Sequence, residues 1–235
     1  MASHSEPNLL QGQGASRLWR CVALCIVAFA ALTPLKLRAA NAPIGLWIAP
    51  DIPPEFQIAV DRLIKQGDFA AATQGEAKVK IVSGRPGDGP SAQWIYVPVA
   101  AFPTTIDNIA WPNIQRYWQG DATALAAISG SNTKIESPVF ITTPTILAYL
   151  TGLLGAPDPQ IHVETVAPDA LAMTLWRHRP AAWAIIPFDR LDPTMKALTL
   201  DGKSAFDRSF DLSAYPLVQT IILIGDTDSF KTTVA

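Results

Sequence analysis

An α/β fold of two lobes is the architecture the sequence predicts, and three observations predict it. Beyond residue 43, short strand-like runs take turns with amphipathic helix patterns along nearly the whole chain, which argues an α/β fold with largely parallel pairing. One segment, Trp94 to Asp121, passes from an apolar strand through an irregular Pro/Thr stretch into an amphipathic helix, as a chain does when it crosses from one lobe to the next. The 235 residues, 49% of them hydrophobic, suffice for one sizeable domain or two small lobes.

The elements follow in order. Ile44 to Ala49 is an apolar strand stopped by Pro50-Asp51-Ile52-Pro53-Pro54. The helix after it carries Phe56, Ala59, Val60, Leu63 and Ile64 as one apolar stripe, with Glu55, Asp61, Arg62 and Lys65 on the wet side, and Gln66-Gly67-Asp68 ends it. Ala77 to Ser83 alternates as a half-wet strand. A Gly/Pro loop, residues 84–90, leads to Trp94–Val97, where Pro98 suits a strand leaving its sheet. Trp111-Pro112 places proline at a helix start, and Ile114, Tyr117 and Trp118 recur at helical spacing up to Gly120.

Past Asp121 a short helix, 122–128, gives way to a Ser/Gly/Asn loop. Pro138 to Ile141 reads as a buried strand. Thr142-Thr143-Pro144-Thr145 supplies a hydroxyl N-cap with proline at the first helical position, ahead of a helix from Ile146 to Leu154. Strand 161–164, helix 167–176 and strand 181–187 follow, and strands 195–199 and 217–224 complete the set.

Charge and cysteine usage bound the function. The net charge of −2 leaves no basic footprint, so nucleic acid is excluded as a partner. Residues 43–235 hold 14 Lys+Arg against 19 Asp+Glu, a balance of −5. Arg17 and Arg20 precede an apolar run from Cys21 to Leu35, the pattern of a secretory signal, so the domain is expected to be exported and extracytoplasmic. The exit of that segment has small residues but no clean cleavage site, which keeps a membrane anchor and a buried N-terminal helix as alternatives. Both cysteines, Cys21 and Cys25, lie inside the run. Leucine before Cys25 makes a poor lipoprotein site, and the exported part must rely on its core without disulfides.

The crossing carries a resemblance. Ile106 through Asp121, ending Tyr117-Trp118-Gln119-Gly120-Asp121, resembles the post-hinge helix of type 2 periplasmic binding proteins, including the phosphate-binding proteins of ABC importers. Ala182-Trp183-Ala184-Ile185-Ile186-Pro187-Phe188, with Lys196 to Gly202, is similar to the return segment of that superfamily. Tyr215-Pro216-Leu217 resembles the start of its last strand. Pro98 to Thr105 and Ile186 to Pro193 are closer still to the N-terminal extracytoplasmic domain of CapA-type capsule or poly-γ-glutamate biosynthesis proteins, in which a metallophosphatase-like domain follows. The resemblance implies a two-lobed type 2 periplasmic-binding-protein-like fold: lobe 1 about 43–98 and 196–235, lobe 2 about 99–195. Phosphate-binding members carry Arg-x-x-x-Ser-Gly-Thr where Thr142-Thr143-Pro144-Thr145 stands here; the hydroxyls remain, the arginine and glycine do not.

In such a protein the ligand sits at strand C-termini between the lobes, held by helix N-termini and loop hydroxyls. Asp51 follows the first strand, Ser83 and Gly84 the second, and Thr104 and Thr105 the crossing. Thr142, Thr143 and Thr145 open a helix whose free N–H groups suit a carboxylate or phosphate. Ser and Thr cap helices there whether or not anything binds. Asp189 beside Arg190 either lines the cleft mouth or makes a turn ion pair, and the adjacency favours the pair. The tryptophans 94, 111, 118, 176 and 183 read as core rather than as stacking platforms.

Catalysis finds no foothold. His4, His162 and His178 are scattered, no H-E-x-x-H or G-x-S-x-G occurs, and Gly225-Asp226-Thr227-Asp228 lacks the downstream ligands of a hydrolytic metal site. The expectation is therefore an exported, non-enzymatic solute-binding-like domain without metal or cofactor that closes on a small anionic or polar ligand. The alternative is an accessory domain of a cell-envelope polymer system, with a polymer or protein partner, possible truncation before a catalytic domain, and membrane attachment through an uncleaved N-terminal segment.

Overall fold

The computed structural model describes residues 42–102, 104–130 and 138–226. The secretory or anchor segment, both cysteines, the Ser/Gly/Asn loop and Thr227-Asp228 lie outside them. Among the described residues no helix is long and apolar enough to cross a membrane.

Among the described residues there are eleven strands and four α-helices. In chain order they are β1 (Ile44–Ile48), α1 (Pro54–Gln66), β2 (Phe69–Ala71), β3 (Val79–Ser83), β4 (Ser91–Ala101), β5 (Asn108–Ile109), α2 (Trp111–Trp118), β6 (Val139–Thr142), α3 (Pro144–Leu154), β7 (Val163–Thr165), α4 (Leu171–Arg177), β8 (Ala182–Pro187), β9 (Met195–Ala197), β10 (Thr199–Leu200) and β11 (Val218–Gly225). Nine strands share one sheet in the order β2-β1-β3-β11-β4-β8-β6-β7, with β9 also on β4, while β10 and β5 form a small parallel pair.

The pairing is mixed rather than largely parallel. β11 runs antiparallel to both β3 and β4, and β4 antiparallel to both β8 and β9. Only the flanks, β2-β1-β3 and β8-β6-β7, keep the parallel pairing that β-α-β alternation produces. Periodicity identified the strands but carries no information on direction, and β11 is threaded between β3 and β4 from far along the chain.

Pro98 does not end its strand, contrary to the sequence expectation. β4 continues through it to Ala101, pairing Pro98 with Ile185 of β8. On its other edge β4 pairs with β11 up to Ile95 and with β9 from Val99 onward. Pro98 falls between those two ladders, and its carbonyl accepts the Leu198 N–H at 2.9 Å. A missing N–H is tolerated where no strand asks for one.

β8, and β4 from Tyr96 onward, are buried on both faces. Tyr96 and Ala100 of β4, with Trp183 and Ile185 of β8, enter a large core with α2, α3, Phe140 and Leu217. Val97, Val99 and Ala101, with Ala182, Ala184 and Ile186, enter a second core against α4. A third joins Leu46, Phe69, Val79, Ile81 and Ile221 to Val60 of α1. The two-residue alternation of a strand distributes each run between its cores. α1 ends at Gly67 in the left-handed conformation, φ 93°, with its N–H on Ile64 O. The short helix expected after Asp121 is a 3-10 segment, Ala122–Ser129, kinked at Leu125.

Three surface turns make the fold acid-sensitive. Side-chain hydrogen bonds from Thr123, Thr194 and Ser213 hold Asp121, Asp192 and Asp211 below their ordinary value of 3.8. A carboxyl depressed by folding contributes stability above its unfolded pKa and loses it as pH falls through the folded value. Urea midpoints should therefore decline below about pH 3.8, and Thr194→Val should make that decline shallower.

Candidate functional site

Helix starts and strand ends converge on a cavity of about 410 Å³, within the usual range of small-molecule pockets. α1 brings Pro53, Pro54 and Glu55 to it, because Pro50 to Pro54 stops β1 and starts the helix within a few residues. α3 brings Thr143 and Thr145. Thr143 is the N-cap, its Oγ1 accepting the Ile146 N–H at a long 3.4 Å. Tyr96 comes from β4, and Arg190 and Asp192 from the segment after β8. Asp169 and Leu171 close the α4 side, and Ile186 and Met195 add apolar wall.

Charge crosses this cavity. Arg190 donates through Nε to Glu55 Oε1 at 3.0 Å and through Nη2 to the same oxygen. The pair joins residues 135 positions apart, so the local turn pair expected between Asp189 and Arg190 is not what forms. A surface arginine contributes little stability through such a pair, but donating to the Glu55 carboxylate holds its guanidinium still more firmly protonated. Glu55 Oε2 is buried without a hydrogen-bond partner among the described residues.

Beneath Tyr96 lies a polar network. Its hydroxyl donates to Gln219 Oε1 at 2.7 Å, and Gln219 Nε2 donates to Ser83 Oγ at 2.8 Å and to the Asp51 carbonyl at 2.9 Å. Ser83 Oγ donates to Asp51 Oδ2 at 2.5 Å. Burial pushes the Tyr96 hydroxyl pKa far up, and Tyr149, Asp51, Glu55 and Asp189 push the same way. Tyr149 stacks on Tyr96 with ring centroids 4.7 Å apart.

The residues singled out by sequence scatter over six settings. Thr143 and Thr145 line the cavity. Asp51 and Ser83 meet in the network, tied to it through Gln219 and Tyr96. Gly84 serves close packing, since a Cβ there would collide with the Ile222 side chain. Thr142 is fully buried, Thr105 and Asp189 are exposed, and Thr104 lines a different, open cavity of about 480 Å³ with Arg177 and Arg179. Tyr96, Glu55, Asp169 and Gln219 were missed. Gln219 alone left a signal, an amide inside an otherwise apolar strand run. Among the described residues no group of His, Cys, Asp or Glu could hold a metal ion.

The sheet's long central strand serves two cores beside a cavity lined by the starts of two helices, a mixed α/β arrangement like that of type 2 periplasmic-binding-protein-like structures. Comparison with solved structures agrees. The chain superposes on an ABC-type phosphate transport receptor from Vibrio cholerae with a TM-score of 0.61 at 12% identity, covering 81% of this chain and 93% of that one. PstS from Borrelia burgdorferi gives 0.53 at 11% identity, covering 83% and 91%. At such identities the likeness is one of fold. No protein-family model matches the sequence, and no curated protein does.

Proposed function

We propose that this protein is an exported, non-enzymatic solute-binding domain whose lobes close on a small anionic or polar ligand in the cavity between α1 and α3. One observation carries the reading: the first turns of two long helices and the crossing strand β4 meet around about 410 Å³ of space. At the start of α3, Pro144 has no N–H and Thr143 accepts those of Ile146 and Leu147, which leaves the Thr145 N–H as a donor suited to an anionic group. The receptor from Vibrio cholerae, a transport protein by function, supports binding over catalysis. Export is supported by the basic-then-apolar pattern of residues 17–35. The lobes divide where β4 exchanges β11 for β9 near Pro98, and the chain returns to the first lobe after β9.

Thermal unfolding of the full chain against phosphate, sulfate, amino acids, γ-glutamyl peptides and sugars tests this. A ligand at about 100 times its dissociation constant should add roughly 2.7 kcal/mol. Thr145→Ala should shrink that shift, while leaving unliganded stability within about 0.5 kcal/mol because Thr145 is not the cap. Absence of any shift would favour the second reading, an accessory domain of a cell-envelope polymer system. Its supporting observation is the exposed Phe206, tilted against the half-buried Phe188 with ring centroids 5.0 Å apart, next to the Arg190 turn.

A further inference from the structure

We propose that the ligand is a small zwitterion, carrying a carboxylate and an ammonium on an aliphatic body, and that the cavity discriminates against inorganic oxyanions. The inference rests on the cavity being the binding site and names what it selects.

The argument begins with the two helix starts. α1, 13 residues long, has Glu55 in its own first turn, so its partial positive charge is already answered by a carboxylate. α3, 11 residues long, has no acidic residue in its first turn, and Thr143 and Thr145 stand there instead. An oxyanion gripped between both helices would meet Glu55 at one of them. A carboxylate held at α3 alone would not.

The rest of the lining has the opposite sign. Glu55, Asp169 and Asp192 face the cavity against one cation, Arg190, and that cation is engaged by Glu55. Asp169 has no hydrogen bond or ion pair among the described residues. Asp192 accepts only from its own turn, Thr194 N at 2.8 Å and Thr194 Oγ1 at 2.5 Å. Glu55 Oε2 is buried without a donor among the described residues, and with its side chain 25% exposed the carboxylate is only partly screened at the cavity. Asp51 adds further negative charge below Tyr96. A dianion such as phosphate meets a surplus of carboxylates here, whereas an ammonium balances it.

Space supplies the third element. A five-atom oxyanion leaves most of about 410 Å³ empty, and the remaining wall is apolar: Ile146, Leu171, Ile186 and Met195. Hydrocarbon of the ligand is removed from water there, at about 25 cal/mol per Å².

Titration calorimetry on the full chain tests the idea with four probes: leucine, methionine, 4-methylpentanoate (leucine without its amine) and inorganic phosphate. Leucine or methionine should bind about tenfold or more tightly than either amine-free probe. Glu55→Gln should weaken the amino acid about tenfold, leave 4-methylpentanoate within about twofold, and improve phosphate. Asp169→Asn, at an exposed position, should move affinities in the same direction and keeps the test alive if Glu55→Gln does not fold. Phosphate or 4-methylpentanoate binding as tightly as the amino acids would overturn the inference and leave the solute-binding reading standing. Amino-acid affinity untouched in both variants would also overturn it. Binding of none of the four, together with no shift across the wider ligand panel, would overturn both.

Discussion

Trp183→Ala is expected to destabilise the domain by about 3–5 kcal/mol, a large share of the roughly 5–15 kcal/mol that holds a domain folded. Trp183 is fully buried at the second position of β8. Its ring lies 4.6 Å from Phe140 of β6 and meets Tyr117 of α2 edge-on at 5.4 Å, so one side chain joins two strands and a helix. Truncation leaves a cavity framed by regular elements that cannot collapse into it. Trp183→Phe should cost distinctly less, because Nε1 is buried with no hydrogen-bond partner among the described residues and its removal strands nothing. Urea unfolding at constant m-value checks both. Equal losses for the two variants would show that a phenyl ring restores none of the packing at this position.

Gln219→Leu is expected to cost about 2–3 kcal/mol although leucine fills much of the same volume. The amide is 2% exposed, takes the Tyr96 proton on its oxygen and gives its own to Ser83 and Asp51. Leucine leaves a buried tyrosine hydroxyl without its acceptor and takes a donor from the Asp51 loop that holds the start of α1. Tyr96→Phe removes one bond and keeps the rest, so about 1 kcal/mol is expected. Because Tyr96 lines the cavity, Gln219→Leu should also weaken any ligand that binds there, measurable by calorimetry at a temperature where the variant is still folded. Full ligand affinity in Gln219→Leu would separate the network from the site.

Elements with strong local periodicity were legible in sequence. The stripe Phe56-Val60-Leu63-Ile64 gave α1, and Thr143-Pro144 gave the start of α3, because a cap, a proline and an apolar face are local properties. Pro98 misled because a missing N–H matters only if a neighbouring strand needs it, and which strands flank β4 is decided by β9 and β11 far along the chain. The site divided on the same line. Thr143 and Thr145 reach the cavity through local capping chemistry, whereas Glu55 gains its role from Arg190, 135 residues away. Asp51 and Ser83 were singled out as separate loop residues; their union through Gln219 depends on where β11 lies.

That placement of β11 has a consequence for the order in which the molecule is made. β3 and β4 are consecutive in the chain yet are not partners, since the strand between them is the last of the described strands to be synthesised. A nascent chain that has been made as far as residue 200 already contains every strand of the β4-β8-β6-β7 half, while the β2-β1-β3 half still waits with an open edge at β3. Pairing of the described strands is therefore completed by a step between segments far apart in the chain, and loop-closure entropy makes such a step slow relative to local pairing. Until β11 docks, β3 presents an unpaired edge that needs shielding from other chains.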